Sequence, residues 1–231
     1  MIQLEHVHFN YGKREILHDI NLTLEKGRIV GVVGESGSGK TTLSQVILGA
    51  QKPTKGQVHR SNQRILPIFQ HASQSFNPDM TIGASMSEAL KYYDKTQSAE
   101  AQQRLEQLMV SLKLPQELLR QRPGQVSGGQ LQRLNIIRTL IFQPELLICD
   151  EITANLDVIA EQHVIDILTA YHRETHQSML VISHDLAFLQ QFVDEFVVLK
   201  DGRIVDHFER SELFDKQRAA YTKELVAVYE E

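Results

Sequence analysis

An α/β fold is what this 231-residue sequence predicts: a mixed, largely parallel sheet, an antiparallel β subdomain at the N-terminus and an inserted α-helical subdomain. Three observations carry it. Ile29–Val33, Leu146–Cys149 and Met179–Ile182 are short, nearly continuous apolar runs, the pattern of strands buried on both faces. Between the last two runs, Val158–Arg173 reads as a helix, giving the β–α–β order of a parallel sheet. Before the first run, apolar and polar positions alternate, as in strands with one wet face.

Taken in order, Ile2, Leu4, Val7 and Phe9, then Ile16, Ile20, Leu22 and Leu24, mark two or three antiparallel strands about a turn at Asn10–Lys13. Arg28–Val33 is a buried strand running into glycine, Thr41–Gly49 starts a helix, and Lys52–Gly56 reads as a turn. The character changes over residues 84–122. There Ser98–Leu114 sets Leu105, Leu108, Met109 and Leu112 at helical spacing among Gln, Glu and Arg residues. From Glu145 the β/α alternation returns, and Phe196–Leu199 and Ile204–Phe208 flank Asp201–Gly202, a strong hairpin turn pair. The expected organisation is one domain, 1–231, in which 1–83 and 145–231 form the core and 84–144 a helical insertion. There is no internal repeat and no low-complexity segment.

Composition narrows the function classes. At 42% hydrophobic and 23% charged residues, the chain can fill a globular core. A net charge of -5 argues against a general nucleic-acid binder, and no nucleic-acid partner is expected. The lone cysteine, Cys149, rules out an intramolecular disulfide and an all-cysteine metal site, and suits a reducing cytosol. The N-terminus lacks the apolar stretch of a signal peptide, and no apolar run is long enough to span a bilayer. Any membrane role is therefore expected to run through partner proteins.

Gly34-Glu35-Ser36-Gly37-Ser38-Gly39-Lys40-Thr41 fits G-x-x-x-x-G-K-[ST] at every fixed position, after a strand and before a helix. Glycines let backbone N–H groups converge on phosphates, and the helix aims its positive end at the same anion. Lys40 is expected on the β- and γ-phosphates of ATP and the Thr41 hydroxyl on Mg²⁺, with Thr42 completing the nucleotide-binding stretch. Leu146–Cys149 then runs into Asp150 and Glu151. Asp150 is expected to hold Mg²⁺ and Glu151 to polarise the attacking water as general base. A strand-terminal Asp-Glu pair is often only a solvated loop start; beside a phosphate loop the catalytic reading is the stronger.

Ser127-Gly128-Gly129-Gln130, within Val126–Arg133, lies between that loop and the carboxylate strand and resembles the signature motif of ABC ATPases. Tyr11 resembles the aromatic residue that stacks on adenine, and Gln70 the Q-loop glutamine that reaches Mg²⁺ and the attacking water. Asn155-Leu156-Asp157 resembles the D-loop, and His184, in Val181–Asp185, the switch histidine. Small residues before a helix make a second anion site on physical grounds alone. The resemblance implies that two subunits pair head-to-tail, with Ser127 and Gly129 closing over ATP held on the partner's loop.

Softer stretches narrow the likeness. Phe69–Pro78, Arg122–Gln125 and Ala220–Leu225 resemble the oligopeptide, dipeptide and nickel importer ATPases, and a chain that stops soon after Leu225 resembles their shorter, nickel- or metallophore-type members. What this implies is uptake of nickel, metal chelates or peptide-like cargo. The implied partners are a second, different ATPase subunit, two transmembrane permeases and, indirectly, an extracytoplasmic solute-binding protein, at the cytoplasmic face of the membrane. Ile152 stands where many members have proline and Ala154 where serine is usual; neither side chain performs chemistry, so hydrolysis is expected to survive. His172 and His176 are spaced i,i+4 but have no third ligand nearby, and read as surface residues at a helix end. An exporter subunit and a soluble, non-transport ABC ATPase are the alternative readings.

Overall fold

The computed structural model describes residues 1–61, 64–69, 72–91, 95–154 and 156–228. β1 (Ile2–Tyr11) and β2 (Arg14–Leu24) pair antiparallel about a two-residue turn, with Tyr11 opposite Arg14. The apolar alternation in each strand contains one three-residue step, Leu4 to Val7 and Leu17 to Ile20. Each step holds a residue of left-handed backbone, His6 at φ 48° and Asp19 at φ 53°. The irregularity returns the next apolar residue to the buried face, and the two bulged residues pair at 2.7 Å through His6 Nδ1 and Asp19 Oδ1.

β3 (Ile29–Val33) follows, fully buried, and leads through a loop into α1 (Lys40–Leu48). β4 (Lys55–Arg60) then returns to the other edge of β1, giving a three-stranded sheet ordered β2-β1-β4. The sequence predicts only a turn here, because Lys55–Arg60 is polar, without the alternation that marks a strand, and it is mostly exposed. β5 (Ile65–Ile68) was also missed. It contains Pro67, which an edge strand tolerates, and it lies at the edge of the second sheet.

α2 (Ile82–Leu90), α3 (Lys95–Ser111) and α4 (Gly128–Leu140) follow, the first capped by Thr81, whose hydroxyl accepts from the Ala84 N–H at 3.2 Å. α3 starts and ends three residues earlier than its apolar spacing predicts. Its C-terminus closes through Lys113 at φ 52° and a bond from Leu114 N–H to the Met109 carbonyl, a geometry usually marked by glycine. The chain continues through β6 (Leu146–Asp150), α5 (Val158–Thr175), β7 (Ser178–Ile182) and the single turn α6 (Leu186–Leu189). β8 (Glu195–Lys200), β9 (Arg203–Glu209) and α7 (Ala220–Ala227) close it. The second sheet is ordered β5-β6-β7-β3-β8-β9; β3, β6, β7 and β8 run parallel, and β9 pairs antiparallel with β8 as the expected hairpin.

The chain divides into two compact units: Met1–Pro67 with Glu145–Glu151 and Thr169–Glu231, and Ile68–Pro144 with Ile152–Leu168. The first has a core built from the sheets and α1, including Val7, Ile20, Val32, Ile47, Ile148 and Leu180. The second has a helical core around Ile82, Met86, Leu105, Met109, Leu134 and Ile137. Among the described residues no helix is long and apolar enough to cross a membrane.

Candidate active site

The tips of three parallel strands converge in the first unit. Val33 at the end of β3 runs into Gly34, which packs so closely on β8 that a Cβ there would lie 2.1 Å from the Leu199 carbonyl oxygen. Gly37 holds a left-handed φ of 84°, open to residues without a Cβ. Gly39 caps α1 with no side-chain hydrogen bond, leaving the first-turn N–H groups without intrahelical acceptors at the positive end of the helix. The Ser38 hydroxyl is buried with no hydrogen-bond partner among the described residues. An orphaned hydroxyl, uncapped amides and a lysine in one loop are donors arranged for an anion, and a phosphate chain fits them.

Lys40 is 7% exposed, and its ammonium donates to the carbonyls of Gly34 (2.7 Å) and Glu35 (3.0 Å). Burial pushes its pKa down, against the opposing pull of the Glu151 and Asp150 carboxylates. Asp150, the last residue of β6, is also buried. Its two oxygens accept from the hydroxyls of Thr41 and Ser44, each at 3.3 Å. Burial pushes the Asp150 carboxyl up from its usual range, and these two bonds pull it down. Thr41 and Asp150 together are hard oxygen donors of the type that suits Mg²⁺. Ser44, one turn along α1, was not singled out by sequence; only its i+3 spacing from Thr41 could have placed it there.

Glu151 leaves the strand at φ 51°, an uncommon backbone for a residue with a side chain and costing of order 1 kcal/mol. Its N–H is held by the Ile182 carbonyl at 3.0 Å, at the tip of the neighbouring β7. The side chain is thereby set between Lys40 and His184: one oxygen lies 3.9 Å from Lys40 Nζ, the other 2.8 Å from His184 Nδ1. His184 follows β7, and its ring is largely exposed. Residues 40, 41, 150, 151 and 184, from three separate stretches of sequence, thus meet at one end of the sheet.

The remaining candidates lie elsewhere. Tyr11, half exposed at the end of β1, packs edge-on against Phe9 (4.8 Å) and donates to Gln45 Oε1 of α1 at 3.1 Å. In the second unit, Ser127 caps α4 reciprocally with Gln130. The serine hydroxyl accepts from Gln130 N–H (3.3 Å), and the glutamine oxygen accepts from Ser127 N–H (3.0 Å). Ser127 and Gly128 are exposed, and a Cβ at Gly128 would meet no atom within 4 Å. Asp157 accepts from the Ala160 N–H at 2.8 Å at the start of α5. Gln70 and Asn155 lie outside the described residues.

The family model described as ABC transporter matches residues 17–154. The chain belongs to the ABC transporter family. As an ABC ATPase it is 52% identical over 231 residues to the nickel import system ATP-binding protein NikE of Staphylococcus aureus (strain USA300), with 99% of each chain covered. Among solved structures it resembles cbiO1 from Clostridium perfringens, part of the ABC transporter complex cbiONQ, at a TM-score of 0.83 and 23% identity over 94% of this chain and 91% of that one. A dimeric post-hydrolysis ATP-binding cassette, MJ0796 bound to ADP and Pi, matches at a TM-score of 0.78 and 24% identity over 91% and 99%. The α/β architecture of the ABC ATPases is therefore the architecture of this chain.

His172 and His176 play a local part. His172 Nδ1 bonds the Gln177 carbonyl at 2.9 Å and the two rings meet edge-on, 6.4 Å apart, at the end of α5.

Proposed function

We propose that this ABC ATPase energises an importer of nickel or nickel chelates, docked on two permeases and paired with a second, different ATPase subunit at the cytoplasmic face of the membrane. The observation that carries the chemistry is Glu151, oriented by a strained backbone between Lys40 and His184. The cargo follows from full-length likeness to a nickel import ATP-binding protein, and peptide-like cargo is the second reading from the same sequence group.

The chain's own residues divide the work of hydrolysis. The outward-facing amides of the Gly34–Thr41 loop, the Ser38 hydroxyl and Lys40 bind the triphosphate, Tyr11 offers its ring to the adenine, and Thr41 and Asp150 would hold Mg²⁺. That ion, when bound, offsets the charge of the phosphate oxygens. Lys40 and His184 both face the Glu151 carboxylate. Phosphate competes for the same two side chains, so nucleotide entry frees Glu151 to orient water and take its proton. Ser127 to Gln130 and Asp157 belong to the face turned to the partner's nucleotide. The division into a nucleotide-binding core and an inserted helical subdomain is part of the same reading.

Glu151→Gln tests it in the assembled complex. The variant keeps its partners and its ATP affinity, while hydrolysis falls by roughly 10²–10³-fold, as for loss of a positioned base and its electrostatics. Cells carrying it lose nickel accumulation. Unchanged turnover removes the role of Glu151, and recovery of the chain with ribosomes in place of two multi-span proteins removes the importer.

A further inference from the structure

The Glu35 peptide in the nucleotide loop is held from both sides. Its carbonyl accepts from Lys40 Nζ at 3.0 Å and from Ser38 N–H at 3.2 Å. Its N–H, alone among the loop contacts described so far, is taken by a distant residue: it donates to the phenolic oxygen of Tyr221 at 3.0 Å. An amide bonded to Tyr221 is not a phosphate donor, so the tyrosine fixes which of the loop's N–H groups face outward.

Tyr221 is built to be immobile. It is 6% exposed in α7, and the Lys200 ammonium lies 4.3 Å from its ring centroid. The start of α7 is tied to β9 through one carboxylate: Ala219 N–H and Thr222 Oγ1 each donate to Asp206 Oδ2 at 2.8 Å. Arg218 adds an ion pair to Asp206 at 3.6 Å and sits over the Phe208 ring at 4.3 Å. Burial also pushes the Tyr221 hydroxyl pKa up, so the group stays neutral. The β8–β9 turn supports the loop from the same side, with Gly202 N–H donating to the Ser38 carbonyl at 2.9 Å.

We propose that Tyr221 is a positioning residue for ATP binding, which holds the Glu35 peptide in the orientation the phosphates require and thereby makes α7 a determinant of nucleotide affinity. The proposal rests on Gly34–Thr41 being the ATP loop. Without the hydroxyl, Glu35 N–H must find another acceptor and the loop samples rotated peptides. Apparent affinity then falls by the fraction of loops still competent, while saturating ATP selects the competent form and restores turnover.

Tyr221→Phe keeps the ring and removes the one oxygen. KM for ATP rises roughly five- to tenfold, the size of one lost hydrogen bond. At saturating ATP kcat stays within about twofold, the pattern of lost binding rather than lost transition-state contact. An unchanged KM, or a loss of kcat alone, overturns the proposal. Lys40→Ala run in parallel separates the two failures. Wild-type KM in both variants overturns the ATP-loop reading itself; weak binding by the lysine variant beside wild-type KM in the tyrosine variant overturns only the role of Tyr221.

Discussion

Asp150 shows how a single residue sets function against stability. Both of its oxygens receive hydroxyl donors, yet burial holds its pKa above the usual carboxylate range. The fold therefore favours the protonated acid. Its stabilising contribution is whole below the pH at which an unfolded aspartate titrates, about 3.9, and is lost as pH rises through the higher folded value. Above that value the ionised carboxylate is a cost to the fold. Asp150→Asn should then melt higher than the wild type at pH 7 and hydrolyse no ATP in the presence of Mg²⁺. The gain should shrink as pH is lowered through the raised value. A variant that melts at or below the wild-type temperature at pH 7 contradicts this account of the site.

Among the elements, α4 lets a structural use of Ser127–Gln130 be tested apart from the proposed functional one. The Ser127–Gln130 capping box serves the helix itself, so Ser127→Ala costs about 1 kcal/mol, measurable by denaturant titration. Gly128 does nothing comparable for its own chain. It sits in the first turn of the helix with open space where a Cβ would go. Alanine there leaves stability unchanged or improves it by up to ~1 kcal/mol, since glycine is the poorer helix former. If the glycine is small so that a partner's nucleotide can approach, Gly128→Ala loses ATPase activity while melting normally. Full activity in that variant would place the nucleotide away from α4. β4 and β5 belong to this scale too. A polar edge strand and a four-residue strand containing proline carry no periodic signal, and only pairing with β1 and a place at the sheet edge made them strands.

At the scale of the whole molecule, two units with separate cores carry the Gly34–Thr41 loop in one and the Ser127–Gln130 motif in the other. Ligand that binds only the folded loop must stabilise the first unit by mass action. At a hundredfold excess over Kd, Mg-ATP adds about 2.7 kcal/mol, which raises Tm by roughly 5–10 °C for a protein of this length. Lys40→Ala removes that rise without lowering the Tm of the nucleotide-free protein by a comparable amount, as differential scanning fluorimetry can show. A rise that persists in the variant would mean that nucleotide stabilises the chain from another site.

The sequence by itself determined the chemistry that is local along the chain. The glycine spacing before Lys40 and the apolar run that delivers Asp150 and Glu151 to a strand tip each follow from a few adjacent residues, and each stands where its spacing implied. Only the tertiary structure decided what depends on distance in sequence: Glu151 lodged between Lys40 and His184, Ser44 on the second oxygen of Asp150, and Tyr221 on the amide of Glu35. These contacts join residues 33 to 186 positions apart. Periodicity and motif spacing report the face a residue presents within its own element. Which far element meets that face is set by strand order and core packing, which no local pattern encodes.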